Sequence, residues 1–85
     1  MPSNKNVVLY ALSTCVWCKK TKRLLNKLGI EANIIDVDLL SGREREKAES
    51  AVDKWNPEGS FPILVVDNRK AICGFDEDEI TREFS

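Results

Sequence analysis

The 85-residue sequence contains no histidine, which removes every Cys-His catalytic dyad and every zinc site built from cysteine and histidine. It has no apolar run longer than a strand. Its opening residues, Met1-Pro2-Ser3-Asn4-Lys5-Asn6, lack the regions of a secretory signal, so neither a transmembrane span nor a leader is expected. Charge of one sign is not in excess either. Thirteen basic and 14 acidic residues leave a net charge of -1, which gives no general affinity for nucleic acid or anionic membrane. Repeats, linkers and low-complexity segments are absent. Three cysteines are too few for a structural disulfide framework, and the odd count leaves one without a partner. A cytoplasmic setting and a single domain over residues 1–85 are the expectations.

What is present is organised around Cys15-Val16-Trp17-Cys18. This C-x-x-C follows the apolar run Val7-Val8-Leu9-Tyr10-Ala11 and opens the basic stretch from Lys19 to Leu28. Two thiols at this spacing on the first turn of a helix can reach each other and form a disulfide, and the helix N-terminus favours the thiolate that exchange requires. Cys15 lies nearest the free N–H groups at the helix start, which makes it the nucleophile; Cys18, one turn in, resolves the mixed disulfide. As half of a metal site the motif would need ligands that Cys73 alone cannot supply, so no metal is expected. Trp17, held between accessible thiols, is expected to flank the site as a contact surface. Lys19 and Lys20 add positive charge beside it. The basic run as a whole is either a solvated face or a surface that steers an acidic protein partner.

Val7 to Ala11 reads as a strand buried on both faces, with Tyr10 open between core and site. Ser13 or Thr14 is placed to cap the following helix, in which Thr21, Leu24, Leu25 and Leu28 recur at helical spacing up to Gly29. Glu31 to Val37 reads as a second strand, completing a right-handed βαβ unit with parallel strands. Ser41-Gly42-Arg43-Glu44 has capping-box spacing, and Ala48, Ala51, Val52 and Trp55 stripe a second helix that stops near Asn56-Pro57, with Trp55 in the core. Ile63 to Val66 and Ala71 to Cys73 form a hairpin across Asp67-Asn68-Arg69-Lys70, and Asp76 to Phe84 is a terminal helix. Cys73 is expected to be a small buried hydrophobe. The α/β pattern βαβαββα packs helices on both faces of a four-stranded mixed sheet.

The order strand, Cys15-Val16-Trp17-Cys18, helix, strand, helix, Ser60-Phe61-Pro62, hairpin, Gly74-Phe75-Asp76 resembles a glutaredoxin over nearly the whole chain. The likeness is greatest to glutaredoxin-like redoxins, including the NrdH-type donors to ribonucleotide reductase. It implies a thioredoxin-like fold and exchange through Cys15 and Cys18, with disulfide-containing proteins as substrates, ribonucleotide reductase among the candidates. It also implies a cis peptide before Pro62, which turns the backbone of Ser60 and Phe61 toward the cysteines as an edge for an extended substrate. Val16, Trp17, Phe61, Pro62, Gly74, Phe75 and Asp76 are the substrate-binding residues on this reading. Phe75 serves either the groove or the core, and Asp76 with Glu77 either meets the γ-glutamyl end of glutathione or only starts the last helix.

Four positions depart from the family pattern. Leu12 stands where glutathione-using members commonly carry a lysine, Val16 where proline is usual, and Cys73 and Phe75 within the usual glycine-rich segment. The expected electron source is therefore a flavin-linked or ferredoxin-linked disulfide reductase, with glutathione as the alternative reductant and no resident cofactor. A second reading is an iron-sulfur carrier, in which the Cys15 thiolates of a dimer and two external thiols hold a two-iron, two-sulfur cluster. The presence of Cys18 favours exchange, and a monomer is expected.

Overall fold

A computed structural model of the protein describes residues 6–84. The opening stretch Met1 to Lys5, read above for the absence of a leader, lies outside the described residues. Strand β1 (Val7–Ala11) leads into helix α1 (Val16–Lys27), then β2 (Asn33–Asp36), a single 3-10 turn at Val37–Leu39, α2 (Gly42–Trp55), β3 (Ile63–Val66), β4 (Lys70–Cys73) and α3 (Glu77–Glu83). The sheet order is β2-β1-β3-β4, with β1 parallel to β2 and antiparallel to β3, and β3 antiparallel to β4. None of the described helices is long and apolar enough to cross a membrane.

The period of two along β1 decides which helix each residue meets. Val7, Leu9 and Ala11 join Leu24, Leu25, Leu64, Ile72 and Ile80 in a core between the sheet and the layer of α1 and α3. Val8 and Tyr10 point the other way, toward a second core of Val37, Ala48, Val52, Ile63 and Val65 under α2. All four residues of β3 are buried, as a central strand with both faces covered requires. Full burial of such side chains is worth roughly 1.5–3 kcal/mol each relative to exposure. The site at the C-terminal end of β1 therefore rests on the most tightly held strands of the molecule.

Helix α1 ends as its sequence indicates. Gly29 takes φ +71°, its N–H donates to the Asn26 carbonyl at 3.1 Å, and the Ile30 N–H donates to the Leu25 carbonyl at 2.9 Å, which together form a Schellman cap. The hairpin turn places Asp67 and Asn68 both at φ +53°, the pairing that matches the twist of the flanking strands.

Several local expectations are corrected. Neither Ser13 nor Thr14 caps α1: Cys15 holds the N-cap position, and Ser13 donates instead through its N–H to Asp38 Oδ1 at 2.8 Å and through its hydroxyl to Oδ2. The second strand stops at Asp36 rather than Val37, because Asp36 already pairs with Ala11, the last residue of β1, and nothing beyond it remains to pair. Ser41 is the N-cap of α2 without the capping-box bond, the chain entering the helix through Gly42 at φ +61°. Trp55 is half-buried against the second core, with the Lys54 ammonium 5.2 Å from its ring centroid.

Candidate active site

The end of β1 and the start of α1 set the geometry of the two thiols. Cys15 has extended backbone, φ -81° and ψ 122°, so its side chain turns back over the first turn, and its sulfur accepts the Cys18 N–H at 3.2 Å. That donor is one of the N–H groups that a helix start leaves without a main-chain partner, and it points at the atom that must carry negative charge. Cys15 is partly exposed, whereas Cys18 is 0% exposed and packs in the core with Ala11, Leu24 and Leu25. The Leu12 N–H donates to Cys18 Sγ at 3.5 Å. Burial, reinforced by the hydrogen bond to Cys15 and the Cys15 charge, pushes the Cys18 thiol up to about 12. The arrangement thus divides the pair into an accessible sulfur and an enclosed one that keeps its proton.

Around this pair, sequence-distant segments converge. The Phe61-Pro62 peptide bond is cis, Pro62 is fully buried, and its carbonyl accepts the Gly74 N–H at 2.7 Å, which ties the loop before β3 to the end of β4. The main-chain N–H and C=O of Phe61 make no hydrogen bond with the described residues. Trp17 is 54% exposed and stacks on Phe75, with ring centroids 6.0 Å apart and planes 27° from parallel. Phe75 itself packs against the core, which is one of the two roles left open for it. Val16 is exposed beside Cys15. Gly74 takes φ +83°, a conformation that excludes most other residues. Asp76 is the N-cap of α3 and accepts the Glu79 N–H at 3.0 Å, so one of its oxygens is committed to the helix.

Cys73 corrects an expectation. It is exposed, because β4 is an edge strand and its last residue lies at the end of α2, with Sγ 4.0 Å from the Trp55 carbonyl. Partial desolvation, and after it the negative charges of Glu58 and Glu79, push its thiol above the ordinary range. Alkylation of the native reduced protein with iodoacetamide near neutral pH should therefore modify Cys15 first and Cys73 more slowly, and leave Cys18 intact until the chain is unfolded. Peptide mass spectrometry of a time course checks this, and early modification of Cys18 would contradict the enclosed geometry.

Sequence reasoning missed two residues that position the site. Asn56, 8% exposed, donates through Nδ2 to the Ser60 carbonyl at 3.1 Å and to its hydroxyl at 2.8 Å, holding the loop that carries Phe61. An asparagine before proline at a helix end was the available signal. Asp38 anchors Ser13 in the loop before Cys15 from 25 residues away, and nothing local marks it. Its carboxyl is held below the usual carboxylate range, chiefly by the Ser13 hydroxyl and then by the Ser13 N–H. On this side of the site a cavity of about 300 Å³ is lined by Leu12, Phe61, Val37 and Val52, together with three acids, Asp38, Glu49 and Asp53, and one cation, Arg45.

Comparison with known proteins agrees with this geometry. The family model described as Glutaredoxin matches residues 7–71. A glutaredoxin-like 8.6 kDa protein of the rubredoxin operon of Clostridium pasteurianum is 31% identical over 77 residues, covering 89% of this chain and 93% of the relative. The crystal structure of methanoredoxin from Methanosarcina acetivorans superposes with a TM-score of 0.90 at 45% identity, covering 94% of this chain and 84% of the other. The glutaredoxin-like NrdH-redoxin of Escherichia coli superposes with a TM-score of 0.68 at 28% identity, over 91% of this chain and 92% of the other. With a matching family model over most of its length, a thioredoxin-like fold and a Cys15/Cys18 pair at the head of α1, the chain belongs to the glutaredoxin family.

Proposed function

We propose that the protein is a dithiol oxidoreductase that reduces disulfides of other proteins, with Cys15 as nucleophile and Cys18 as resolving thiol, and that a protein reductase recharges it in preference to glutathione. The observation that carries the roles is the contrast in access: Cys15 is partly exposed and receives an N–H bond, while Cys18 is 0% exposed. In the forward reaction the Cys15 thiolate attacks one sulfur of the target disulfide, the target S–S bond breaks, and one target thiolate leaves. Cys18 then gives up its proton and attacks Cys15 Sγ. The mixed disulfide breaks, the second target thiolate leaves, and the two electrons taken by the target are balanced by the new Cys15–Cys18 disulfide. The free edge of Phe61, with Val16, Trp17, Pro62, Gly74, Phe75 and Asp76 around it, supplies the groove in which an extended target segment would lie.

The preference for a protein reductase rests on the surroundings of Leu12, where acids outnumber bases and no lysine is present to meet a carboxylate of glutathione. The Escherichia coli neighbour is described as having a thioredoxin-like activity profile, which accords with this reading. A reducing compartment such as the cytoplasm suits the accessible Cys15 and Cys73 thiols. The test is to offer the oxidised protein, in parallel, to glutathione, a flavoprotein disulfide reductase and a ferredoxin-dependent reductase. One of the two enzymes should restore the dithiol at least about ten-fold faster than glutathione does, the loss of one charge-assisted contact being worth that much. Equal rates would remove the reductase from the reading and leave the exchange chemistry in place.

A further inference from the structure

Lys20, Arg23 and Lys27 follow one another at i, i+3 and i+7 along α1, a single exposed stripe. With Leu24, Phe75 and Glu77 they line a cavity of about 220 Å³. Three cations thus face one carboxylate, and none of the three forms an ion pair with a described residue; the lysine of α1 that is paired, Lys22, reaches Asp36 on another face. The stripe is continuous with the redox site. The Lys20 ammonium lies 4.5 Å from the centroid of the Trp17 ring, and Trp17 stacks on Phe75, which forms part of the cavity wall. The cavity on the other side of the thiols, beside Leu12 and Phe61, carries acids in the majority, so the surface around Cys15 is electrically polarised.

We infer that this basic and aromatic face of α1 is a docking surface for protein partners whose redox cysteine is flanked by acidic side chains. The inference rests on the exchange reaction proposed above and names the class of partner it serves. The stripe from Lys20 to Lys27 runs about 10 Å along the helix, which suits a row of carboxylates on a protein surface better than one small anion. Unpaired cations at the rim of an interface act chiefly on encounter and orientation, and salt screens them. The apolar floor of Leu24 and Phe75, with the Trp17 ring beside it, gives such a partner a contact area once it has been steered in.

The experiment uses three synthetic peptides with one intramolecular disulfide, identical except that the flanking residues are three glutamates, three serines or three lysines. Their reduction by the pre-reduced full chain is followed in single turnover at low salt and at about 0.5 M salt. At low salt the glutamate peptide should react about ten-fold faster than the lysine peptide, with the serine peptide between them, and high salt should collapse the difference. The double variant Arg23→Glu/Lys27→Glu, at exposed positions, should invert the order. Equal rates for the three peptides, or a preference for the acidic peptide that survives the double substitution, would overturn the docking surface while leaving disulfide exchange intact. Failure to reduce any of the peptides would bring down both readings. Binding to phosphatidylserine vesicles that is lost in the double variant, without any peptide preference, would assign the face to a membrane and also overturn the inference.

Discussion

Cys15→Ser should reduce no disulfide at all, whereas Cys18→Ser should accumulate a covalent adduct with its target. The two results follow from one structural difference. Serine at position 15 replaces the accessible sulfur, and the enclosed Cys18 thiol, pushed up to about 12 by burial, cannot take over the attack near neutral pH. Serine at position 18 leaves Cys15 and the N–H donor on its sulfur in place, since that donor is main chain, so the first step proceeds and the second cannot. Non-reducing electrophoresis and intact-mass measurement after mixing with a disulfide protein read both outcomes. Trapping by Cys15→Ser, with none by Cys18→Ser, would reverse the assignment.

The same division carries a pH dependence. Two of the causes that raise Cys18, the hydrogen bond to Cys15 and the Cys15 charge, disappear once Cys15 is tied into a mixed disulfide; burial, the largest cause, remains. Burial should therefore go on disfavouring the Cys18 thiolate in the adduct. The thiolate fraction of Cys18, and with it the rate of target release, should climb roughly ten-fold per pH unit while the pH stays well below its pKa.

The elements were legible where one physical pattern dominated. β-branched runs marked β1 and β3, and the i, i+3, i+4 stripe marked α2. Gly29 marked the end of α1, and the C-x-x-C marked its start. What stayed hidden was settled by residues far apart in the chain. Ser13 was a sound local choice for a cap, but Asp38 offers it a carboxylate from across the loop and Cys15 takes the cap. Small thiols usually lie in the core, yet an edge strand ending beside the last turn of α2 leaves Cys73 outside it. Asn56 read as a helix stop, and its second role, holding Ser60, depends on the path of a loop that no periodicity describes.

Leu12→Lys should raise glutathione-driven turnover about ten-fold, because a charge-assisted hydrogen bond to a carboxylate contributes roughly 1.5–3 kcal/mol. Leu12 is half-buried at the mouth of the cavity that also holds Phe61, and its main-chain N–H, the part that contacts Cys18, is untouched by the substitution. In the parent, a glutathione carboxylate entering here would meet Asp38, Glu49 and Asp53, against which stands one cation of the cavity lining, Arg45, itself 3.6 Å from Glu49 in an ion pair. The Ser13 bonds hold the Asp38 carboxyl below the usual carboxylate range, so mild acidification should not neutralise it. The introduced ammonium both supplies the missing partner and offsets this negative field. Because part of its charge will be taken up by the neighbouring acids, the gain should grow further when Leu12→Lys is combined with Asp53→Asn, a change that removes a carboxylate without disturbing the Ser13 anchor. The comparison to make is glutathione-driven reduction of one disulfide substrate by parent, single and double variants at matched concentrations, beside turnover with a protein reductase. A parent already as fast with glutathione as with the reductase, or a Leu12→Lys variant no faster than its parent, would show that the charge at this cavity does not select the reductant.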